Sequence, residues 1–301
     1  MPAVTDRVTI PRVPGTRSRS PLVWGLFALA VTLVALAGYA VFGADLAYRG
    51  GEDMDAYWNA ALRLRAGEEL YKAGSPDTTE LYRYAPWFAY LWIPLTYLDQ
   101  ELVRLAWSML LLAGVVACTM PLLRLGVVGL VAAVLFFPIS LQGMAYGNVQ
   151  PLIVAALMFG TRSRAGPLVV AAAASLKAVP ILFVLVDLRR GEWRRALVTV
   201  GITALLVAPM LTHDLSGYST AVGPRQISLA QVWPGLWLAV ALVSILATVV
   251  FGRSRYRWLA AGLAMVMALP RLLTYEISFL LVGLIEERRT QRTETSEQIA
   301  N

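Results

Sequence analysis

Repeated apolar stretches of about 14 to 22 residues, separated by short connectors with arginine, glycine or proline, constrain this chain more than any other feature. They account for most of its 301 residues, of which 58% are hydrophobic and only 15% are charged. A soluble domain of this length would carry considerably more charge. The pattern therefore predicts an all-α polytopic membrane protein, a helical bundle and not a soluble domain on one anchor.

The apolar stretches predict about ten helices, several of them short. The candidate spans are 21–42, 84–98, 102–121, 125–141, 147–160, 166–187, 194–211, 232–251, 257–270 and 271–285. A stretch of about 14 residues reaches only about 21 Å, less than a bilayer core of about 30 Å, so some helices are expected to be broken or re-entrant around a polar cavity. Residues 1–20 and 286–301 predict disordered cytoplasmic tails, which leaves one membrane domain over 21–285.

The positive charges predict how the bundle lies in the membrane. With the N-terminus inside, the cytoplasmic connectors and tails collect fifteen arginines: Arg7, Arg12, Arg17, Arg19, Arg104, Arg189, Arg190, Arg194, Arg195, Arg253, Arg255, Arg257, Arg288, Arg289 and Arg292. We therefore expect a multi-pass plasma-membrane protein with both termini cytoplasmic and with the 43–83 and 212–231 loops outside. Because this distribution explains the pI of about 9.7, no nucleic-acid partner is expected.

The first external loop, 43–83, holds 8 of the chain's 19 carboxylates and is the expected place of polar chemistry. Within it, five apolar residues at helical spacing predict an interfacial helix on the outer leaflet: Met54, Tyr57, Trp58, Ala61 and Leu62. Asp53 is expected to cap this helix and Gly67 to end it. The aromatic residues Tyr57 and Trp58 suit the headgroup layer.

Several short motifs follow one another in the order of one enzyme family. They read Asp53-Met-Asp-Ala-Tyr57-Trp-Asn-Ala-Ala61, Gly67-Glu-Glu-Leu-Tyr71, Tyr84-Ala-Pro86, Pro94-Leu, Tyr146-Gly-Asn-Val-Gln150 and Ser175-Leu-Lys177-Ala-Val-Pro180. Over about residues 53–276 the series resembles glycosyltransferase family 87 of the GT-C superfamily. It departs from the family after Pro270, where many members have tryptophan and histidine and this chain has Arg-Leu-Leu-Thr-Tyr-Glu. No histidine role can therefore be transferred.

The resemblance implies a membrane glycosyltransferase that uses a polyprenyl-phosphate sugar of the mannose or arabinose class. The acceptor would be an outward-facing lipid, glycan or protein of the cell envelope, and the transfer would invert the anomeric centre. Such a reaction needs a carboxylate base near the acceptor hydroxyl and positive charge on the departing phosphate. It implies no cofactor beyond the donor substrate and leaves a divalent metal open. His213 and Cys118, each the single residue of its type, exclude a histidine-rich metal site and an intrachain disulfide.

The resemblance also implies roles for particular side chains. Asp53 matches the family aspartate and is the expected general base, with Asp55 as the runner-up. The expected contacts to the donor phosphate are Lys177, Arg271, Arg83 and Arg225. The side chains expected at the sugar or acceptor are Tyr57, Tyr84, Asn148, Gln150, Tyr275 and Glu276.

The polar residues of the apolar stretches allow more than one role. Lys177 lies mid-way along 166–187, where an unpaired ammonium costs about 2.5 to 3.5 kcal/mol, so we expect a buried structural partner or a bound anion such as the donor phosphate. Glu276 is expected to pair with Arg271 or to face the cavity. Asn148 and Gln150 would bind a sugar or satisfy the backbone of a broken helix.

Two other functions remain open at the level of the sequence. A transporter or flippase for a lipid-linked or amphiphilic solute would use Lys177 and the region of Asn148. A catalytically inactive lipid-binding subunit is favoured by the missing family histidine and by a C-terminus that is short for the family.

Overall fold

The computed structural model describes residues 51–72, 81–218 and 229–283, and within these ranges the chain forms helices and no strands. The α-helices are α1 (Glu52–Ala66), α2 (Pro86–Trp92), α3 (Gln100–Thr119), α4 (Gly126–Ala145), α5 (Gln150–Gly160), α6 (Gly166–Leu176), α7 (Phe183–Arg190), α8 (Trp193–Val207), α9 (Leu229–Val232), α10 (Pro234–Val250) and α11 (Arg257–Ala268). Short 3₁₀ helices occupy Ile93–Tyr97, Met120–Leu125, Val179–Leu182, Ala208–Thr212, Phe251–Arg253 and Thr274–Phe279. The all-α class is confirmed. The 21–42 span, both predicted tails and Arg225 lie outside the described residues.

Three helical segments of the described residues are long and apolar enough to cross a membrane: Gln100–Ala145, Trp193–Thr212 and Pro234–Arg253. The first contains α3 and α4, which run antiparallel, because Trp107 early in α3 donates a hydrogen bond to the carbonyl of Gly147 just after α4. Large apolar side chains cover the outside of the bundle, and Leu205 and Leu211 are 72% and 83% exposed. Such a surface matches lipid, and the chain is a polytopic membrane protein.

Contacts between connectors define two ends of the bundle. At one end, which we call the α1 end, the ring of Tyr71 packs edge-on against His213 and Tyr218. At the other, the arginine end, Arg195 donates to the carbonyl of Thr161 and Arg253 to that of Arg189. These two ends are opposite because α8 runs from one to the other. The described residues of the first loop and of the loop after residue 212 therefore lie at the same end of the bundle, in agreement with the predicted grouping.

The 84–98 segment does not cross the bundle as predicted. It forms α2 and the 3₁₀ helix Ile93–Tyr97, and it returns to α1, where Arg65 donates to both the carbonyl and the hydroxyl of Thr96. As a result α3 starts at the α1 end, and Arg104 forms an ion pair of 2.9 Å with Asp55 of α1. The prediction that placed Arg104 on the opposite side of the membrane from α1 is therefore wrong.

The 166–187 stretch is also not a single span. Helix α6 ends at Leu176, and Lys177 has an extended backbone with φ −138° and ψ 108°. Helix α7 then returns to the arginine end, so that Gly166 and Asp187, from the two ends of the stretch, both lie near Arg195. The continuous helix predicted here is wrong, because the chain turns back at Lys177 and makes a re-entrant pair of short helices.

Helix α1 is docked on the turn that follows α4. The backbone N–H groups of Gly51 and Asp53 donate to the carbonyls of Ala145 and Tyr146, at 3.0 and 2.9 Å. Gly147 closes this turn with φ +73°, and a Cβ atom added there would lie 2.8 Å from the Cβ atom of Met54. Only glycine combines this conformation with so close an approach of the turn to α1.

The two ends of α1 differ in how well their capping residues were predicted. Gly67 ends the helix in the left-handed conformation, as predicted, and its N–H donates to the carbonyls of Arg63 and Leu64. The N-terminal cap is Gly51, without a side-chain hydrogen bond, so the prediction that Asp53 caps α1 is wrong. The N-cap lies two residues before Asp53, and the side chain of Asp53 instead contacts Asn148 of the turn after α4.

The apolar stripe of α1 faces protein and not lipid headgroups. Met54 and Tyr57 are fully buried and Trp58 nearly so, while Leu62 stays 37% exposed. The ring of Tyr57 makes edge-on contacts with other aromatic rings: Tyr84, Phe88 and Trp107. The headgroup role predicted for Tyr57 and Trp58 is wrong, because α2 and α3 pack over this face. The resulting aromatic cluster packs α1 against α2 and α3.

Candidate active site

Asp53 is held by an amide from the turn after α4. Its Oδ2 atom accepts a hydrogen bond of 2.8 Å from Nδ2 of Asn148. The same amide nitrogen also lies within hydrogen-bond distance of the hydroxyls of Tyr84 and Tyr275, at 3.2 and 3.1 Å, so these two oxygens share its second N–H. Because Oδ1 of Asn148 accepts the N–H of Gln150 at 2.8 Å, the amide cannot rotate freely. The carboxylate of Asp53 is thus oriented by a fixed donor.

Two opposing effects act on the pKa of the Asp53 carboxyl. The carboxyl is only partly exposed, and this burial raises its pKa above the ordinary value. The hydrogen bond from Asn148 and the charges of Lys177, Arg271 and Arg83 act in the other direction. Burial is the larger effect, so Asp53 is a stronger base than an exposed aspartate.

Asp55 lies on the other face of α1. Its Oδ1 atom accepts hydrogen bonds from Nη2 of Arg104, at 2.9 Å, and from Nε2 of Gln100, at 3.3 Å. Two residues along a helix correspond to a rotation of about 200°, so the two carboxylates point in different directions. The structure places the runner-up base in a structural ion pair with α3.

Lys177 has a buried carboxylate partner. Its Nζ atom lies 2.9 Å from Oε1 of Glu276, and the two side chains are only 10% and 8% exposed. The ammonium also lies 4.9 Å from the centre of the Tyr275 ring. A buried partner was one of the two expectations for Lys177. The alternative in which Glu276 pairs with Arg271 is wrong, because the break after α6 brings Lys177 to Glu276 instead.

Arg271 and Arg83 are the other cations near Asp53. Within the described residues Arg271 forms no hydrogen bond or ion pair, and its side chain is partly exposed. Burial lowers the pKa of Arg83, and the like charge of Arg271 lowers it further. Two guanidinium groups close enough to repel each other, with a carboxylate beside them, are suited to an anion that carries more than one oxygen.

The comparison with protein families bears on this arrangement. Residues 82–218 match the family model of glycosyltransferase family 87. Over these residues the chain is similar to that family. The match agrees with the resemblance for the motifs between Tyr84 and Pro180, and family 87 implies a membrane glycosyltransferase. The Asp53 and Gly67 motifs lie before the matched residues. No curated protein and no solved structure matches the chain. The family 87 region contains Arg83, Tyr84, Asn148 and Lys177, whereas Asp53 and Arg271 lie outside it.

Most of the side chains predicted to contact the sugar are buried within the protein. Tyr57 is fully buried, and its hydroxyl accepts the N–H of Val149 and donates to Tyr84. Gln150 is 1% exposed and donates to Ser278. Asn148, Tyr275 and Glu276 are also buried. Tyr84 alone of the six stays partly exposed, which makes it the side chain best placed to touch a substrate.

Two tryptophans within residues 82–218 support the candidate site and were not predicted from the sequence. Trp107 bonds the carbonyl of Gly147, and Trp87 donates to the hydroxyl of Ser175 at 3.0 Å, two residues before Lys177. Trp87 directly follows the Tyr84-Ala-Pro86 motif, and Ser175 is the first residue of the lysine motif. Their positions at these motifs could have indicated that the two residues contact each other. Among the described residues, no group of three or more histidine, cysteine, aspartate or glutamate side chains could hold a metal ion.

Proposed function

We propose that the protein is an inverting GT-C-type glycosyltransferase that uses a polyprenyl-phosphate sugar of the mannose or arabinose class. The acceptor is a hydroxyl of a lipid, glycan or protein at the outer face of the plasma membrane. One observation carries the proposal. A single carboxylate, Asp53, is oriented by Asn148 and has three cationic neighbours in Lys177, Arg271 and Arg83.

Asp53 acts as the general base in the transfer step. It takes the proton of the acceptor hydroxyl while the hydroxyl oxygen bonds to the anomeric carbon on the side opposite the phosphate. The bond between that carbon and the phosphate oxygen breaks, and its electron pair leaves with the polyprenyl phosphate. The pKa of Asp53, which burial raises, suits a group that must accept a proton from a hydroxyl.

The departing phosphate needs positive charge where its own negative charge grows. Arg271 is the first candidate, because it forms no ion pair within the described residues and remains partly exposed. Arg83 is the second, because its repulsion with Arg271 falls when an anion lies between the two. Tyr84, at the hydroxyl of which both Asn148 and Tyr57 donate hydrogen bonds, is placed to contact the sugar.

The distribution of arginines supports an outward α1 end. The two densest groups, in 189–195 and 253–257, both lie at the arginine end of the bundle. Cytoplasmic connectors collect such groups. With the arginine end inside, Asp53 and Tyr84 lie at the outer face, where polyprenyl-linked sugars of the cell envelope are used.

Replacement of Asp53 by asparagine tests the proposal, because it removes the base and keeps a similar shape. Membranes that contain the full chain receive radiolabelled polyprenyl-phosphate mannose or arabinose, and transfer of label to lipid and glycan fractions is measured. Asp53→Asn should lower transfer by about 100-fold or more. The matched control Asp55→Asn, two residues away in the same helix, should stay within about threefold of wild type.

Other outcomes separate the alternatives. Unchanged transfer by Asp53→Asn would exclude the general-base role. A transporter would move the labelled lipid to the other leaflet without transfer, and it would respond little to Asp53→Asn. An inactive subunit would bind the labelled donor without transferring its sugar, already in the wild type.

A further inference from the structure

The ion pair of Lys177 and Glu276 joins two breaks in the helical structure. Lys177 lies between α6 and the 3₁₀ helix Val179–Leu182, in extended backbone, while Glu276 lies in the 3₁₀ helix Thr274–Phe279. The two residues are 99 positions apart in the chain. The pair is thus a direct polar link between the re-entrant segment and the segment that carries Arg271.

Glu276 uses both carboxylate oxygens. Oε1 accepts from Lys177, and Oε2 accepts the backbone N–H of Leu273 at 2.8 Å. The N–H of Glu276 in turn donates to the carbonyl of Leu273 at 2.9 Å. Leu273 is two residues from Arg271, so Glu276 fixes the backbone from which the Arg271 side chain extends.

The charges of these three residues are not equivalent. The ammonium of Lys177 is buried, already paired and stacked on the ring of Tyr275. A phosphate could bind it only by displacing Glu276, which would leave a buried carboxylate without its partner. Arg271 is partly exposed and forms no ion pair within the described residues, so it can accept an anion without such a loss.

We propose that Lys177 and Glu276 are a positioning pair that holds Arg271 for the donor phosphate, and that Lys177 itself does not bind the phosphate. This inference rests on the proposed function, because it names the group that recognises the donor of that reaction. It assigns anion recognition to Arg271 and places Lys177 and Glu276 behind it.

The two roles of Lys177 predict opposite effects of Glu276→Gln. If Lys177 were a phosphate ligand, loss of its competing carboxylate would free it, and a polyprenyl phosphate would bind more tightly. If the pair positions Arg271, Glu276→Gln leaves a buried, unpaired ammonium and a loosened turn, and binding should weaken by about tenfold. The Kd is measured for a short-chain polyprenyl phosphate on the purified full chain in detergent, by tryptophan fluorescence, well below the unfolding temperature.

A double variant separates positioning from charge. Lys177→Met combined with Glu276→Gln removes both charges and keeps a group that can accept the Leu273 N–H. The positioning role predicts a Kd within about threefold of wild type for the double variant and a Kd raised by about tenfold for Lys177→Met alone. Equal weakening in the single and double variants would overturn the proposal, because it would show that the ammonium itself is needed.

The variant Arg271→Gln provides a second test of the proposal. It should raise the Kd by about tenfold in both the wild-type and the double-variant background. Additional weakening only in the wild-type background would show that Lys177 and Arg271 share the phosphate, and it too would overturn the proposal. Because binding of polyprenyl phosphate is measured without transfer, these results stand even if Asp53→Asn disproves the general-base role.

Discussion

The two faces of the first turn of α1 carry the same residue type in very different settings. Asp53 faces a buried amide, Asn148, at 2.8 Å, with three cations nearby and no ion pair to any one of them within the described residues. Asp55 faces the partly exposed guanidinium of Arg104 at 2.9 Å, in a direct ion pair. A carboxylate that is already paired stabilises a helix contact, whereas one that is oriented but unpaired can still take a proton.

The difference teaches that packing, and not position in the helix, separates a structural carboxylate from a reactive one. Both residues lie in the first turn, where the helix dipole favours negative charge. Helix α3 supplies a strong cation to one face, and the Gly147 turn supplies a neutral donor to the other. After Asp53→Asn and Asp55→Asn, variants of the partners on the two faces of α1 test this contrast.

After Asp53 itself, replacement of Asn148 should have the largest effect on sugar transfer. Asn148→Ala removes the hydrogen bond that opposes the effect of burial, so transfer should fall by about 10- to 100-fold. The pKa of Asp53 should rise further, because the lost donor favoured the charged form. Since the ionised form is active, the acid limb of kcat/KM should move to higher pH in a profile from about pH 4 to 9.

Gln100→Ala is the control on the other face, because Gln100 donates to Asp55. It should leave the acid limb where it is and transfer within about twofold of wild type. A loss of activity in Asn148→Ala with an unmoved acid limb would contradict the view that Asn148 acts through Asp53.

Arg271→Gln and Arg104→Gln compare the cations of the two faces. Arg271→Gln should raise the KM for the polyprenyl-phosphate donor by about tenfold, because a guanidinium that contacts phosphate is lost. Arg104→Gln breaks the Asp55 ion pair and should change that KM by less than about twofold. Initial rates over a range of donor concentrations distinguish the two. Equal effects would mean that general loss of positive charge, and not a specific contact, weakens donor binding.

Gly147→Ala and Gly67→Ala separate the docking of α1 from backbone strain. Both glycines have φ +73°, so alanine costs about 1 kcal/mol at either place. At Gly67 an added Cβ meets no atom within 4 Å, whereas at Gly147 it meets Met54. Gly147→Ala should therefore destabilise the protein by about 1 kcal/mol more than Gly67→Ala, as measured by thermal unfolding in detergent. Equal losses would show that the turn can move away from α1.

The smallest expected effect is that of the Asp53 charge on the stability of the folded protein. Its pKa is raised on folding, so the stability that the carboxyl contributes is present at low pH and is lost as the pH rises through the folded value. Asp53→Asn stays neutral and should unfold about 1 to 2 °C above wild type at neutral pH, with the gain shrinking in acid. A variant that unfolds below wild type at neutral pH would show that the charged carboxylate stabilises the fold.

Several features could be predicted from the residues because they depend on near neighbours. The periodicity of 102–121 and 125–141 corresponds to α3 and α4, and Gly67 ends α1 as expected. The motif order pointed to family 87, which the match over 82–218 confirms. Asp53 was singled out by motif alone, and its role in catalysis stays a prediction.

The failures share one cause. The 84–98 and 166–187 stretches are apolar enough to be taken for spans, and hydropathy does not show that one returns to α1 and the other turns back at Lys177. In the same way, Arg271 and Glu276 are close in sequence, and the pairing of Glu276 with Lys177 depends on that turn.

The sequence by itself thus determined the all-α membrane class, the apolar faces, the glycine that ends α1 and the similarity of residues 82–218 to family 87. Each of these depends on residue type and on spacing within a few helical turns. Only the tertiary structure decided which aspartate is oriented and which cation is already paired. The partners of Asp53 and Lys177 lie 95 and 99 residues away in the chain, so their choice follows from how distant segments pack.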